Sequence, residues 1–409
     1  MPNTFTFPSW VAMEPLRLLV NRLAIAGKFA ANWNDEFKRE FAVGETVTLK
    51  KPNRYTVTDG LALATQPLQV QTTTVSLNQP FHIGIEWDDF EKVIEMERST
   101  EQINRLYLEP VAEKLFQEVE SRAALFAYQN TPNVFGALGT NPTAATPFMD
   151  AHDRLHDKSA PDTKLDVFVS SRMMSSFLAN QAVQFQPAQE IGEQYKTDIV
   201  GKAHGMTWHR SNSLYRHTAG TGVTALSVTG AGQSGSSLSV TGTNGQTLKK
   251  GDAISIADVN FVNPNTLRVP AGNQVQHFLI TADVTLTAGP DIIGIFPAIV
   301  GPGSPFQNVD ALPGNGAVIT LWPGTTTPSG KAGTQGLLLA PNAFAIVGAK
   351  YEKPPNVQCS YAKDPTSGLS IRFTRQWDIQ TAKTYSRWDM CIGFGVLYAD
   401  ECAARVVGA

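Results

Sequence analysis

Charged side chains are scarce in this chain: 17% of its 409 residues, against 42% hydrophobic. The apolar share is that of a globular protein, and a surface so poor in charge is expected to be partly covered by something else. The signs nearly balance, with a formal net charge of -3. A dedicated nucleic-acid binder carries a basic face, and this composition argues against one. Cysteine is rarer still. Cys359, Cys391 and Cys402 are odd in number and share no metal-ligand spacing, so they read as reduced thiols in a non-oxidising compartment. No apolar run approaches the ~20 residues that span a bilayer. The opening MPNTFTFPSW lacks the charged and apolar regions of a signal peptide. The expectation is a soluble protein made in a cytoplasm, with no membrane partner.

Motifs that carry chemistry are missing too. The chain has no G-x-x-x-x-G-K-S/T, no G-x-S-x-G, no C-x-x-C, and no G-x-G-x-x-G between a strand and a helix. Gly222 and Gly230 to Gly235 belong to a Gly/Ser stretch that no helix follows, so a phosphate would find no helix N-terminus there. Cys391 reads as a buried strand cysteine, because a nucleophile would need a nearby base. His152 and His156 stand one helical turn apart, the geometry of a zinc pair, but no Glu follows the first and no third ligand is evident. The chain is therefore read as a non-enzyme without metal or cofactor.

What is present is organised around one helix. Over residues 109–130 the positions Ala112, Leu115, Phe116, Val119, Ala123 and Phe126 recur at three- and four-residue steps, while Glu113, Lys114, Gln117, Glu118 and Arg122 fill the other face. Pro110 suits the first turn, and Asn130-Thr131-Pro132 ends the run. A second helix is expected over 14–31, with Pro15 at its start and Leu16, Leu19, Val20 and Leu23 as its stripe. Between Val43 and Leu77 the period changes to two, through ETVTLKK, YTVT, Asp59-Gly60 and QVQTTTVSL, giving a long two-stranded excursion. Its hydrophobic content is thin on both faces, and such a ribbon needs a partner surface. Phe81, Ile83, Ile85 and Trp87 alternate along one strand face. Asp88 and Glu91 open a further helix carrying Phe90, Val93 and Ile94.

After the central helix, 131–147 is rich in turn residues. Helix, strand and helix follow in DAHDRLHD, LDVFVSS (165–171) and RMMSSFLANQAVQF. From about 218 to 332 the composition shifts to Gly, Ser and Thr with short β-prone runs, few charges and no evident helix, which reads as a small all-β module between exposed-looking turns. Mixed helical and strand character returns in 336–354. Alternating Ile371, Phe373, Ile392, Phe394 and Val396 close the chain as strands.

Several short stretches carry a resemblance: Leu248-Lys249-Lys250-Gly251-Asp252-Ala253-Ile254-Ser255-Ile256 with Val259-Asn260-Phe261; Ile199-Val200-Gly201 with Gly205-Met206; Ala340 to Val347; and Trp388-Asp389 through Gly393 to Val396. In this order, over nearly the whole chain, they resemble tailed-bacteriophage major capsid proteins of the HK97 type, most closely the coat proteins of phage P22 and its relatives. The resemblance implies an α+β fold with an N-terminal arm (1–43), an extended β-loop (44–80), a peripheral domain with the spine helix (81–145), the first part of an axial domain (146–217), an inserted β-barrel (218–332), and a return through axial and peripheral domains (333–409). It implies pentamers and hexamers of the chain itself, closing into an icosahedral shell in the virion around double-stranded DNA held without sequence specificity. Assembly in the bacterial host cytoplasm, a scaffolding protein, a portal protein and a decoration protein would go with it. The assembly residues singled out are Trp10 and Leu16 in the arm, Tyr55, Asp59 and Gly60 in the loop, Pro110, Gly201, and Lys249, Lys250, Gly251 and Asp252 in the insertion. The rival reading is a glycan- or host-binding module carried by 218–332.

Overall fold

Alternating and apolar runs become strands here, and the strands are gathered into two compact units. The computed structural model describes residues 10–30, 41–55, 57–61, 63, 65–66, 70–88, 108–161, 165–181, 201–221, 225–271, 274–322, 329–355, 357–364, 367–381 and 383–409. The first unit takes its described residues from Met1–Lys51, Gln71–Ala123 and Phe344–Leu397; the second from Pro52–Val70, Ala124–Ala343 and Tyr398–Ala409.

The first unit is built on the 14-residue strand Lys383–Val396. Its sheet runs in the order Phe41–Ala42, Phe344–Lys350, Lys383–Val396, Ser370–Asp378, Gln358–Lys363, and Gln79–Asp88 pairs along the long strand from Lys383↔Asp88 to Ile392↔Gln79. The ribbon expected after Val43 is shorter than its sequence pattern: Thr46–Lys50 pairs with Thr72–Ser76, and Tyr55, Val57 and Thr58 belong to no strand. One face of this pair is apolar after all, with Val47, Leu49, Val75 and Leu77 buried. The surface beneath it comes from two glycines of the long strand. A Cβ at Gly393 would stand 2.7 Å from the Ser76 carbonyl, and one at Gly395 would strike the Val75 side chain. Chain and ribbon approach more closely there than any side chain would allow.

Helix α1 is Trp10–Arg22, earlier and shorter than the 14–31 pattern, so Pro15 lies within it and not at its start. It stops because the next amides are taken. The N–H groups of Ala24, Ile25 and Ala26 donate to the Glu120 carboxylate at 2.9, 2.9 and 3.0 Å. Glu120 belongs to α2, Glu109–Asn130, which matches the span read from the sequence. Downstream, Phe29 packs on Phe344 and Phe394, with centroids 5.1 and 5.9 Å apart. The helix expected after Asp88 lies outside the described residues.

The second unit holds a mixed sheet in the order Asn133–Gly136, Ala403–Val407, Ala332–Leu339, Leu165–Val169, Met206–Arg210, Lys202–Ala203. Helices α3 (Thr146–Asp157) and α4 (Ser171–Gln181) belong to the same unit. The 131–147 stretch, rich in turn residues, also contains the strand Asn133–Gly136, because its apolar Val134 is buried and Ala403–Val407 supplies a parallel partner. Residues 336–354 hold strands and no helix, broken at Asn342 with φ 66. His204 and Gly205, both at positive φ, turn Lys202–Ala203 back onto Met206–Arg210, as a two-residue hairpin requires.

The insertion is a closed barrel. Ser227–Val228, Gly235–Thr241, Asp291–Ile299, Val275–Ile280, Ala253–Asn260 and Ile319–Trp322 pair in that order. A bridge between Ser227 and Val318 joins the last strand to the first, with the Val228 N–H donating to Ala317 O at 2.9 Å. Leu238, Val240, Ile254, Ile256, Phe278 and Ile293 fill it, and its core is continuous with Val134, Leu138 and Val407 of the mixed sheet. The described flanks combine a turn at 329–330, with Gly330 exposed, and a sheet ladder. Arg216–Thr218 pairs with the start of Ala332–Leu339, so the chain leaves and rejoins the sheet through one ladder with His217 buried.

Candidate functional site: the barrel seam and the exposed loop

Glycine at 251 fixes the first half of the seam. Its φ is +98, and a Cβ there would collide with the Tyr128 hydroxyl and ring. The turn around it is tied within itself: the Lys249 N–H donates to Asp252 Oδ2 at 2.7 Å and the Asp252 N–H to Lys249 O at 2.9 Å. Asp283 accepts from the Lys250 N–H at 2.7 Å and from Lys249 Nζ at 3.1 Å. Both aspartates thereby hold charge-assisted bonds to backbone amides, which are stronger than neutral ones.

Three buried side chains, Tyr128, His217 and Arg405, clamp this turn. Tyr128, near the C-terminal end of α2, donates to Lys250 O at 3.1 Å and also contacts His217 Nδ1. His217 Nε2 lies 2.6 Å from Asp252 Oδ1, and Asp252 Oδ2 accepts from the Gly220 N–H at 3.1 Å. Arg405 donates to Gly251 O at 3.0 Å, with its guanidinium 5.0 Å from the Tyr128 ring centroid. Tyr215 stacks on the same tyrosine, centroids 4.6 Å apart. Burial sets the protonation tendencies: the Tyr128 hydroxyl is pushed up, and the Arg405 guanidinium is drawn down to about 10 while remaining a cation at neutral pH.

The second half of the seam centres on Lys158, just past α3. Its ammonium meets three acceptors for its three donors: Asp400 Oδ1 at 2.7 Å, Gln276 Oε1 at 3.1 Å and Asn133 Oδ1 at 3.2 Å. Its pKa is lowered by burial, and the Asp400 charge opposes that shift. One turn back, Arg154 donates to Val275 O at 2.9 Å and lies 4.3 Å from the Phe261 ring. His277 is held neutral by burial and by the nearby Arg154 and Lys158 cations. Its two nitrogens stand 3.4 Å from the Val134 N and 3.5 Å from Arg154 Nη2. A neutral imidazole has one acceptor nitrogen, so only one of these is a hydrogen bond. Trp322 completes the join, its indole N–H donating to Val134 O at 2.6 Å.

A different kind of surface lies at 52–70. Arg54 pairs with Glu401 at 2.5 Å. Beyond it Tyr55, Val57, Leu61 and Leu63 are 65, 95, 108 and 90% exposed. Four large apolar side chains thus stand largely in water along one short loop, an unusual exposure for residues of this kind.

The residues singled out from sequence fall in several places. Lys249, Lys250, Gly251 and Asp252 meet in the seam turn. Tyr55, Asp59 and Gly60 share the exposed loop, with Gly60 at φ +120. Leu16 is buried in α1, whose first residue is Trp10. Pro110 is exposed in the first turn of α2, and Gly201 stands apart at φ +68, accepting from the Trp208 N–H. His152 Nδ1 lies 3.6 Å from Asp153, and no group of three metal-binding side chains occurs among the described residues. Cys391 and Cys402 are buried. Sequence reasoning missed Glu120, Tyr128, Lys158, His217 and Arg405. For Glu120 a signal existed, since a carboxylate falls within the apolar stripe of α2.

A family model described as "P22 coat protein - gene protein 5" matches residues 40–402. Among curated proteins, none matches. Similar solved structures include one of Mycobacterium phage Che8, at TM-score 0.48 and 10% identity over 94% of this chain and 91% of that one. The capsid structure of the cyanophage P-SCSP1u gives 0.44 and 10% over 91% and 85%. The capsid of Ralstonia phage GP4 gives 0.44 and 8% over 90% and 84%.

Proposed function

The chain belongs to the P22 coat protein family, and on that premise we propose that it is the major capsid protein whose pentamers and hexamers close into an icosahedral shell around phage double-stranded DNA. The observation that carries this reading is the exposed apolar loop, which its own chain leaves in water. Rings require heterologous contacts that close by rotation, each copy offering a donor surface and an acceptor surface. The loop supplies the donor, lying over a neighbour, and residues 8–35 brace the inner or adjacent surface. The barrel, fused to the body through a shared core and the polar seam, acts as a rigid part of the shell wall. Contacts that exist only between folded copies stabilise the folded form by mass action.

The net charge of -3 suits a wall that contacts packaged DNA without gripping it. A scaffolding protein, a portal and a decoration protein are the partners this role calls for, with assembly in the host cytoplasm and residence in the virion. No helix among the described residues is long and apolar enough to cross a membrane. Expressing the chain alone and with the phage's scaffolding protein, followed by size exclusion and negative-stain electron microscopy, tests the proposal. Closed shells or polyheads are expected. A stable monomer or small oligomer under both conditions refutes it.

A further inference from the structure

Tyr128 faces two acceptors with one hydrogen. Its hydroxyl lies 3.1 Å from Lys250 O and also contacts His217 Nδ1. Burial pushes this hydroxyl up, so it keeps its hydrogen at neutral pH and has that one to give. Across the ring, His217 Nε2 stands 2.6 Å from Asp252 Oδ1. Asp252 Oδ2 already accepts from the Lys249 and Gly220 N–H groups at 2.7 and 3.1 Å. The hydrogen between Nε2 and Oδ1 is therefore one that imidazole and carboxylate share. Whether Tyr128 can serve Lys250 O depends on how many protons the His217–Asp252 pair holds. With one, Nδ1 is a bare lone pair, and the Tyr128 hydrogen turns to it and leaves Lys250 O unserved. With two, Nδ1–H donates to the Tyr128 oxygen, and the hydroxyl donates onward to Lys250 O.

His217, Asp252 and Tyr128 are 5, 3 and 2% exposed, so a bond lost here is not replaced by bulk water. The other titratable groups around them have engagements of their own. Arg405 donates to Gly251 O, Tyr215 stacks on Tyr128, and Asp283 holds the Lys250 N–H and Lys249 Nζ while standing within electrostatic reach of His217. The three linked groups come from separate parts of the second unit. His217 belongs to Arg216–Thr218, through which the chain enters the insertion, Tyr128 to α2, and Lys250 to the turn just ahead of Ala253–Asn260. We propose that the His217–Asp252 pair is a proton-operated latch on the barrel: a second proton completes the chain Asp252–His217–Tyr128–Lys250 and ties the Lys249–Asp252 turn to the end of α2, and loss of that proton unties it. The sign follows from the count. Acidification tightens the turn, and alkalinisation loosens it. The latch belongs to the folded subunit and operates whether or not the chain builds a shell.

Hydrogen exchange of the full-length chain as a free subunit tests this, with each rate corrected for the intrinsic pH dependence of exchange. The reporting amides are in the turn itself: Gly251 N–H donates to Ile280 O and Asp252 N–H to Lys249 O, both at 2.9 Å. The range is the one over which imidazoles ordinarily change charge, about pH 5 to about pH 8. Across it, wild-type protection of these amides should fall about fivefold, the worth of one net hydrogen bond. Tyr128→Phe has no hydroxyl to divide, and His217→Gln takes up no proton in this range, so both should give flat profiles. Where His217→Gln fails to fold, Tyr128→Phe carries the comparison, because it leaves the His217–Asp252 contact in place. Nitrogen NMR of histidine-labelled wild type gives a second reading: His217 should carry hydrogen on both ring nitrogens at the acid end and on Nε2 alone at the alkaline end. Corrected protection that does not change with pH in wild type overturns the latch. So does an equal fall in Tyr128→Phe, or one protonation state of His217 throughout.

Discussion

Replacing Glu120 should release residues 10–30 without unfolding the helix that carries it. Its carboxylate is 1% exposed and accepts three consecutive amides, Oε1 from Ala24 and Ala26 and Oε2 from Ile25. Glu120→Ala leaves those three donors without a partner at roughly 1–3 kcal/mol for each that stays dry. Ala24 is only half-buried and recovers water. Removing a buried charge returns part of the loss, so a net cost of about 3 kcal/mol is expected. Glu120→Gln keeps an oxygen for Ala24 and Ala26 but turns an NH2 toward the Ile25 amide, which should cost about 1–2 kcal/mol. The pH dependence follows from the direction of the shift. Burial raises the Glu120 pKa above its ordinary value, and the three amide bonds lower it by less. A raised folded pKa contributes stability that is complete below the unfolded carboxylate value and fades as pH rises through the folded one. Docking of the arm should therefore tighten as pH falls through the raised folded value toward the ordinary carboxylate range, and E120Q should show no such trend. Hydrogen exchange of the amides at 24–26, followed by mass spectrometry across that range, reads both effects. Protection that weakens on acidification in wild type, or equal protection in E120A and E120Q, would refute the reasoning.

Other outcomes follow from the seam. Gly251→Ala adds a Cβ into the Tyr128 ring at a backbone φ of +98 and should cost more than about 3 kcal/mol, read as a lower urea midpoint and faster proteolysis at the barrel flanks. Lys158→Met should lose about 3–5 kcal/mol by stranding Asp400, whereas Lys158→Met with Asp400→Leu should recover most of it in thermal melts. Tyr128→Phe removes the donor to Lys250 O and should cost about 1–2 kcal/mol, with the fold intact by circular dichroism. Native alkylation should label Cys359 alone, since Cys391 is buried and burial raises Cys402 to about 12.

Legibility tracked the distance over which a residue finds its partner. The span of α2 was readable because its stripe, first-turn proline and stop signal are local. So was the Gln79–Asp88 strand, whose alternation is its own. The strand Asn133–Gly136 was hidden among turn residues because its justification, Ala403–Val407, lies some 270 positions away. Arg405 and Lys158 are chemically surface residues, and only the folded chain brings Gly251 O and Asp400 to them. Within the notation of hydrophobic periodicity, a buried cation registers as a break in pattern. The ribbon was overextended for the converse reason: its alternation continues past Lys50, but the glycine-made seat at Gly393 and Gly395 does not.

Closure of the barrel through Ser227 and Val318 has a meaning for a molecule that works in crowds. An unclosed sheet presents unpaired N–H and C=O groups to whatever drifts past, and identical neighbours are the best templates for mispairing. A coat subunit spends its life surrounded by copies of itself. By joining first strand to last through the Ser227–Val318 bridge, the insertion withdraws its own edges from that hazard and meets its neighbours mainly through side chains.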